Sequence, residues 1–385
     1  NINNVRARIN TGGDMWWDLN NAQYEVPKGS NKHSMFAGAL WLGGENEAGQ
    51  LKLAAMTYRR SGVDYWPGPL DDGANVTEET CEDYDRHWIV LRSDVELHKA
   101  WIDCKLDPSC NLGERFPGYS IPEAIEDWPG NGIDDDVPEG LAPFKETEER
   151  GIPGVYEPEW DYPGYDLTRE EDCRSPNVDL LYGDQTIWWV YNDKGNIHTE
   201  TGAASLGFEI RAQAFAFTSN DEINNMTFCN YVLINRGSLT LEETFFAQWV
   251  DTDLGNFNDD YIGCDVERGL GYSYNGDNFD EGSTSGPGYG TQPPAVGVDF
   301  FEGPYQDSDG INNLVGIEDG QALNGLGYRD ESEAFPDSIV DNERFGMRRF
   351  LYHNNNSGPE ATQDPQIAIN YYNMMRGIWN DGTPM

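Results

Sequence analysis

The alternation of apolar and polar positions is strongest after about residue 183, where it predicts β-strands. Within 207–217, Phe208, Ile210 and Ala212 fall on one side of a strand and polar residues fall between them. This pattern predicts a sheet with one buried face and one face at least partly wet. The four strongest segments, spaced as in antiparallel sandwiches, are 185–191, 207–217, 227–235 and 244–250.

Earlier in the chain, apolar stretches at 34–43 and 51–59 flank a Gly-rich turn and predict a β-hairpin. The clearest helical pattern covers 93–102, with Ser93 as the expected N-cap. Further short strands are predicted at 269–274, 295–301 and 345–352.

These patterns predict a mainly β protein, with one or more antiparallel β-sandwich domains, long Gly/Asp/Asn-rich loops and one or two short helices. Residues 1–106 form a β-rich region with a short helix. Residues 107–182 are rich in Pro, Gly and acids and are expected to be a loop-dominated connection or insertion. Residues 183–385 form the sandwich-like domain, which we expect to continue in the natural protein beyond Met385.

The composition is strongly acidic: 25 Lys and Arg against 68 Asp and Glu give a formal net charge of −43. Such a chain repels nucleic acid and anionic membrane surfaces. Its 12 % aromatic content argues for a folded protein over a disordered acidic tail. Folding must then reduce carboxylate repulsion, through bound divalent cations or a saline medium. Because the acids cluster in Gly/Asn-rich loops, calcium is the favoured cofactor.

The richest of these loops begins directly after the strand at 244–250. Calcium takes six to eight oxygen ligands, so it needs several Asp and Asn side chains and glycines that bend the backbone around the ion. The rival interpretation is a solvated acidic turn, because Asp and Asn form turns without any ion. The richest loop is not an EF-hand, because the 12-residue ligand order and its terminal Glu are absent. The calcium-ligand candidates here are Asp251, Asp253, Asn256, Asn258, Asp259, Asp260, Asp265, Asp277 and Asp280.

Two further acidic turns resemble this loop in composition, with plain Asx turns as the rival interpretation. Their candidate ligands are Asn131, Asp134, Asp136, Asp307 and Asp309.

Six cysteines, an even number without metal-ligand spacing, favour disulfides in a secreted protein over zinc or haem. The alternative is six buried free thiols in a cytosolic protein. Cys104 and Cys110 flank a short turn and are suited to pair with each other. The disulfide candidates are Cys81, Cys104, Cys110, Cys173, Cys229 and Cys264.

Motifs for catalysis and for membrane insertion are missing. The sequence contains no HExxH, GxSxG, P-loop or GxGxxG that opens a helix, and its five histidines show no ligand spacing. No apolar run approaches the ~20 residues of a membrane span, so no membrane insertion is expected. Two carboxylates of a glycosidase remain possible among the 68 acids.

Several strings resemble the large surface proteins that Bacteroidetes export by type IX secretion. They run from NNVRARINTGGDMWWD (3–18) and HSMFAGALWLG (33–43) to WVDTDLG (249–255) and the segments 259–280 and 371–385. The resemblance implies an exported, envelope-associated protein that continues into a C-terminal sorting domain. It implies no established activity. Ser338, in Asp-Ser-Ile, also resembles the O-glycosylation acceptor of such proteins.

Together these features predict a calcium-stabilised extracellular structural or surface-assembly protein, such as a surface-layer, sheath or filament subunit, more than an enzyme. Its expected partners are other copies of itself or other surface proteins. A carbohydrate-binding or adhesive module is the alternative, because 12 Trp and 20 Tyr offer faces for stacking on glycans. A secreted polysaccharide hydrolase is the third interpretation.

Overall fold

The computed structural model describes most of the chain, and some predicted positions fall outside the described part. The described residues are 2–59, 62–133, 136–137, 140–147, 151–167, 180–266, 268–284, 286–305, 310, 344–354 and 358–385. The sequence-based candidates outside these ranges are Asp134, Cys173, Asp307, Asp309 and Ser338.

The described residues form short antiparallel sheets with a few short helices. The strands are β1 (Arg6–Ala7), β2 (Asp14–Met15), β3 (Tyr24–Glu25), β4 (His33–Met35), β5 (Ala37–Asn46), β6 (Leu51–Ala54), β7 (Trp66–Pro67), β8 (Trp88–Leu91), β9 (Phe144–Lys145), β10 (Tyr162–Pro163), β11 (Gln185–Asn192), β12 (Phe208–Ala216), β13 (Phe228–Asn235), β14 (Leu241–Asp251), β15 (Asp260–Asp265), β16 (Leu270–Asn275), β17 (Asp280–Ser283), β18 (Gly286–Gly290) and β19 (Ala295–Asp299). The helices are α1 (Glu78–Tyr84), α2 (Arg92–Leu106), α3 (Leu112–Arg115), α4 (Glu123–Glu126) and α5 (Ala368–Met375), with 3₁₀ turns at Glu222–Asn225 and Glu360–Thr362.

The predicted mainly β, antiparallel class is confirmed. Two sheets form a sandwich, one with the order β13-β12-β11-β7 and with β8 also on β11, the other with β14-β5-β2 and with β6 also on β5. Between them lies the largest core cluster, which includes Leu42 of β5, Trp189 of β11 and Ile210 of β12. The sequence predicts one or two helices, whereas the described residues contain five.

Both sandwich sheets combine strands from distant parts of the chain. Strand β5 pairs along most of its length with β14, and β8 and β7 pair with β11. The regions 1–106 and 183–385 therefore contribute strands to the same sheets and side chains to the same core.

The prediction that one face of β12 is at least partly wet is wrong, because residues of the 107–182 region cover this face. Arg211 Nη1 donates to the backbone carbonyl of Leu141 at 2.9 Å, and Gln213 Nε2 donates to that of Leu180 at 2.8 Å. The same region contains α3 and α4 and helps to build a second hydrophobic cluster, around Trp128 and Trp188. Polar residues of β12 are thus buried with hydrogen-bond partners.

The local predictions differ in outcome. The hairpin is confirmed as β5 and β6. The helix at 93–102 is longer, since α2 begins at Arg92, and Ser93 lies inside it and does not cap it. The strand predicted at 345–352 is wrong, because only isolated bridge positions occur at its start.

A third sheet, β15-β16-β19, lies beside the sandwich. Val296 and Val298 of β19 pack against a small core cluster that contains Met15, Trp16 and Met35. One face of this sheet is therefore directed to the core, and the alternate residues face outward.

Candidate functional site

The best candidate site lies on the inward face of the β15–β16 pair. Asp260 is directly opposite Asn275, and Ile262 is directly opposite Ser273. Opposite residues in antiparallel strands share a face and have Cβ atoms about 5 Å apart. Ser273 is 1 % exposed and Asn275 is 8 % exposed. The Ser273 hydroxyl and the Asn275 amide oxygen are both buried without a hydrogen-bond partner.

Two carboxylates add further oxygens without partners to this site. Asp260 Oδ2 accepts the Leu254 N–H at 2.9 Å, while Asp260 Oδ1 and Asp259 Oδ1 are buried and accept no hydrogen bond. Burial raises the pKa of Asp260 to about 6, and the charges of Asp259 and Asp280 add to the increase. These carboxylates are crowded, and a nearby positive charge would relieve their repulsion.

Asp280 organises the loop around the site. Its Oδ1 accepts the N–H groups of Asn256 at 2.9 Å and of Gly282 at 3.1 Å, and its Oδ2 accepts that of Tyr289 at 2.6 Å. Gly255 has a φ of 70°, and any Cβ there would collide with the Asp280 carboxylate. Asp280 therefore holds three backbone segments together, a role that the sequence did not indicate.

Asp251 lies apart from these residues, at the end of β14. It accepts a hydrogen bond from the Tyr58 hydroxyl at 2.6 Å, and burial raises its pKa. Nearby, His353 Nδ1 contacts Asp364 Oδ1 at 2.7 Å, and Trp249 Nε1 donates to His353 Nε2 at 3.0 Å. An indole N–H can only donate, so this imidazole is neutral with its proton on Nδ1.

The other predicted ligands of this stretch serve turns or the surface. Asp265 forms an ion pair with Arg268, and exposed Asp277 accepts the Phe279 N–H at 2.7 Å. This is the behaviour of plain Asx turns. The predicted ligands that are half-buried or exposed near the site are Asp253, Asn256 and Asn258.

Asn131, the first residue of the second candidate turn, has a structural role. The Asn131 side chain donates to the Tyr156 carbonyl at 3.2 Å and accepts the Tyr156 N–H at 2.8 Å. Asp136 accepts the Tyr84 hydroxyl at 2.6 Å. Asn131 thus joins two chain segments of the second cluster.

The local disulfide between Cys104 and Cys110 is confirmed, with a Cα–Cα distance of 5.2 Å. The prediction that Cys81, Cys229 and Cys264 form disulfides is wrong, because all three are free thiols. They lie on α1, β13 and β15, which do not pair with one another. A disulfide needs Cα atoms within about 7 Å.

A buried charged group near β6 was not anticipated from the sequence. His198 Nδ1 contacts the Leu53 carbonyl at 2.7 Å and Nε2 contacts the Asp193 carbonyl at 2.6 Å. Carbonyl oxygens only accept, so both nitrogens carry protons and the ring is an imidazolium. The carboxylates of Asp64 and Asp193 lie 3.8 and 3.9 Å from it. The positions of Asp64, Asp193 and His198 in the sequence form no motif that would predict this group.

The chemistry of the β15–β16 oxygens suits a hard cation. Among the described residues, no three or more His, Cys, Asp or Glu side chains are grouped so as to hold a metal. Asp260 is opposite Asn275 in register, Ser273 shares their face of the sheet, and Asp259 precedes Asp260 in the chain. Their carboxylate, amide and hydroxyl oxygens are of the kind that calcium accepts.

Described residues form two small cavities. One lies beside Trp188 and Arg211, the other beside Trp16 and Phe215, and neither is lined by Asp or Glu. A glycosidase needs a carboxyl pair in its cleft. Within the described ranges, no helix has the length and apolar character needed to cross a membrane.

No protein-family model matches the chain, and no curated protein or solved structure matches it either.

Proposed function

We propose that this chain is a calcium-stabilised structural or surface-assembly protein of the extracellular space. The observation that carries the proposal is the set of buried, unpartnered oxygens of Asp259, Asp260, Ser273 and Asn275. Leaving buried polar atoms unsatisfied costs about 1–3 kcal/mol each. A cation bound by these oxygens would remove that cost.

Calcium fits this position better than other ions. Calcium takes six to eight ligands in flexible geometry, among them carboxylates, amide oxygens and waters. Water or backbone carbonyls can therefore complete a coordination shell to which the protein side chains give four oxygens. Magnesium demands a stricter octahedron, and the soft ligands of zinc are absent from this set.

Two features support an extracellular location. The Cys104–Cys110 disulfide is of the kind that persists in oxidising compartments. The net charge of −43 would be tolerated best where divalent cations are abundant.

Assembly is supported by the edge strand β13. It pairs only with β12 among the described strands, and its sequence, FCNYVLIN, has eight residues without charge or proline. Natural edge strands are normally protected by charge, proline or bulges. Within the described part of the chain this edge has none of these protections, so it is suited to pairing with another strand.

Titration calorimetry of chelator-stripped protein tests the calcium site. We expect the wild-type protein to bind calcium with measurable heat, and Asp260→Asn to weaken binding about tenfold or more, because one ligand charge is lost. Asp265→Asn, on the same strand but paired with Arg268, is the matched control and should bind like the wild type. Absence of calcium heat in the wild-type protein would refute the site.

Electron microscopy with calcium and with a chelator tests assembly. We expect ordered assemblies that disperse in the chelator and are reduced by Val232→Glu, which charges the β13 edge. Leu239→Glu, in the exposed turn after β13, is the control. Monomers under both conditions would contradict the assembly role and leave the calcium titration as a separate result.

A further inference from the structure

Three tyrosines occupy the outward face of the β15–β16–β19 sheet. Tyr261 is directly opposite Tyr274, and Tyr272 shares their face two residues along β16. Their exposures are 60 %, 45 % and 37 %, respectively. The ring centroids of Tyr261 and Tyr274 are 6.0 Å apart, and those of Tyr272 and Tyr274 are 6.2 Å apart. We call these three residues the tyrosine face.

The rings of Tyr272 and Tyr261 pack flat against the sheet, because Gly263 and Gly276 leave room for them. A Cβ at Gly263, opposite Tyr272, would collide with the Tyr272 ring, and a Cβ at Gly276 would lie 2.6 Å from the Tyr261 ring. On β19, the neighbouring strand on the other side of β16, Gly297 is directly opposite Tyr272. Small neighbours on both sides keep the surface flat and leave the outer ring faces accessible.

The charged groups of these strands are acidic, and Arg268 in the turn between β15 and β16 is paired with Asp265. The three strands, DYIGCD, LGYSYN and AVGVD, contain no Lys or Arg. At one end of the face, Asp265 and Asp299 flank Leu270 in register. A phosphorylated or otherwise anionic ligand would find no counter-charge on these strands, whereas carboxylates can accept hydrogen bonds from hydroxyl groups.

We propose that the tyrosine face binds a neutral glycan. Pyranose rings present flat, C–H-rich faces that pack on aromatic rings, and their hydroxyls can bond to tyrosine hydroxyls and to the Asp299 carboxylate. The rings of Tyr261 and Tyr274 are stacked with an interplanar angle of 24°, and the Tyr272 ring is tilted by 34° to that of Tyr274. The three neighbouring rings offer an extended platform suited to a chain of sugar units.

This inference goes beyond the calcium-stabilised structural role. The tyrosine face and the oxygens of Asp260, Ser273 and Asn275 lie on opposite faces of the same β15–β16 pair. Glycan binding can be measured with calcium present throughout, so a failure to bind sugar leaves the calcium result unaffected.

Exposed aromatic faces also bind nucleic acids and other proteins. Nucleic acid requires basic residues along its backbone, and the strands of the face have none. A second copy of the chain, with a net charge of −43, would bring more acidic charge against Asp299. The neutral, hydroxyl-rich ligand is therefore the one that the charges favour.

The test is native electrophoresis through gels that contain one of five neutral polysaccharides, namely hydroxyethylcellulose, arabinoxylan, laminarin, glucomannan or dextran. We expect at least one to retard the wild-type protein. Tyr274→Ala and Tyr272→Ala should each weaken that binding about tenfold, while Tyr274→Phe keeps the ring and should stay within about threefold. Tyr352→Ala, which removes a similarly exposed tyrosine from another surface, is the control.

Thermal melting identifies variants that fail to fold. Tyr261→Ala, at the sheet edge and the most exposed of the three, supplies a further variant in that case. The proposal is overturned if none of the five polysaccharides retards the wild-type protein, or if folded alanine variants are retarded equally. A dimer that is lost in Tyr274→Ala, without any retardation, would assign the face to a second copy and also overturn it.

Discussion

Asp260 and Asn275 are directly opposite each other on β15 and β16, and each has one side-chain oxygen that is buried without a hydrogen-bond donor. Two acceptors cannot satisfy each other. When Asp260 is ionised, the pair needs a third group that is positively charged or donates hydrogen bonds, and the calcium ion that we propose would meet that need.

The loop around this pair should depend on Asp280. Asp280→Ala leaves three backbone N–H groups without their acceptor, and we expect a loss of roughly 3 kcal/mol or more in the free energy of unfolding, measured by urea denaturation. Asp277→Ala, in the same loop but exposed, should change stability by less than about 0.5 kcal/mol. Equal effects of the two substitutions would contradict the role given to Asp280.

The buried imidazolium of His198 should be essential for stability. His198→Leu leaves the Asp64 and Asp193 carboxylates without their cation, and we expect a cost of about 3–5 kcal/mol. A double-mutant cycle with Asp64→Asn measures the coupling. Additive effects of the two substitutions would show that no charge interaction exists.

His87 should make the protein acid-sensitive. Burial lowers its pKa to about 4, from an ordinary value near 6.5. The unfolded chain therefore binds the proton first, so stability is full above about pH 6.5 and falls by up to about 3 kcal/mol as the pH drops to 4. Urea midpoints across this range should show a smaller fall for His87→Phe, which keeps a ring against Trp189. An unchanged slope would exclude His87 as a source.

The sequence predicted the strands of the sandwich well, because their alternation reflects local geometry. It could not predict that both faces of β12 are buried. Glu209 and Gln213 are polar, and only the folded chain supplies their partners, the Leu70 N–H and the Leu180 carbonyl. Polar residues predict a wet face only when no distant segment satisfies them.

The candidate site shows the same limit. Asp251 and Asp260 are close in sequence, and composition placed them in one loop. The structure separates them, because Asp251 ends β14 beside Tyr58 while Asp260 begins β15. Ser273, a neutral residue inside a predicted strand, was missed altogether. Its contribution depends on the pairing of β15 with β16, which composition does not encode.

The Cys104–Cys110 disulfide should stabilise the end of α2. For so short a loop, its loss in Cys104→Ser/Cys110→Ser should cost about 2 kcal/mol. Cys264→Ser, which replaces a free thiol, should have a much smaller effect. Urea denaturation without reductant compares the two variants, and equal stability of wild type and double variant would argue against a bridge in solution.

The most direct test of the proposed stabilisation by calcium is the change in melting temperature, Tm, when calcium is added to chelator-stripped protein. At a calcium concentration 100 times the Kd, binding to the folded state adds about 2.7 kcal/mol to the free energy of unfolding, so Tm should rise by several degrees. The rise should be much smaller with magnesium and in Asp260→Asn. An unchanged Tm in the wild-type protein, or an equal rise in Asp260→Asn, would contradict the account.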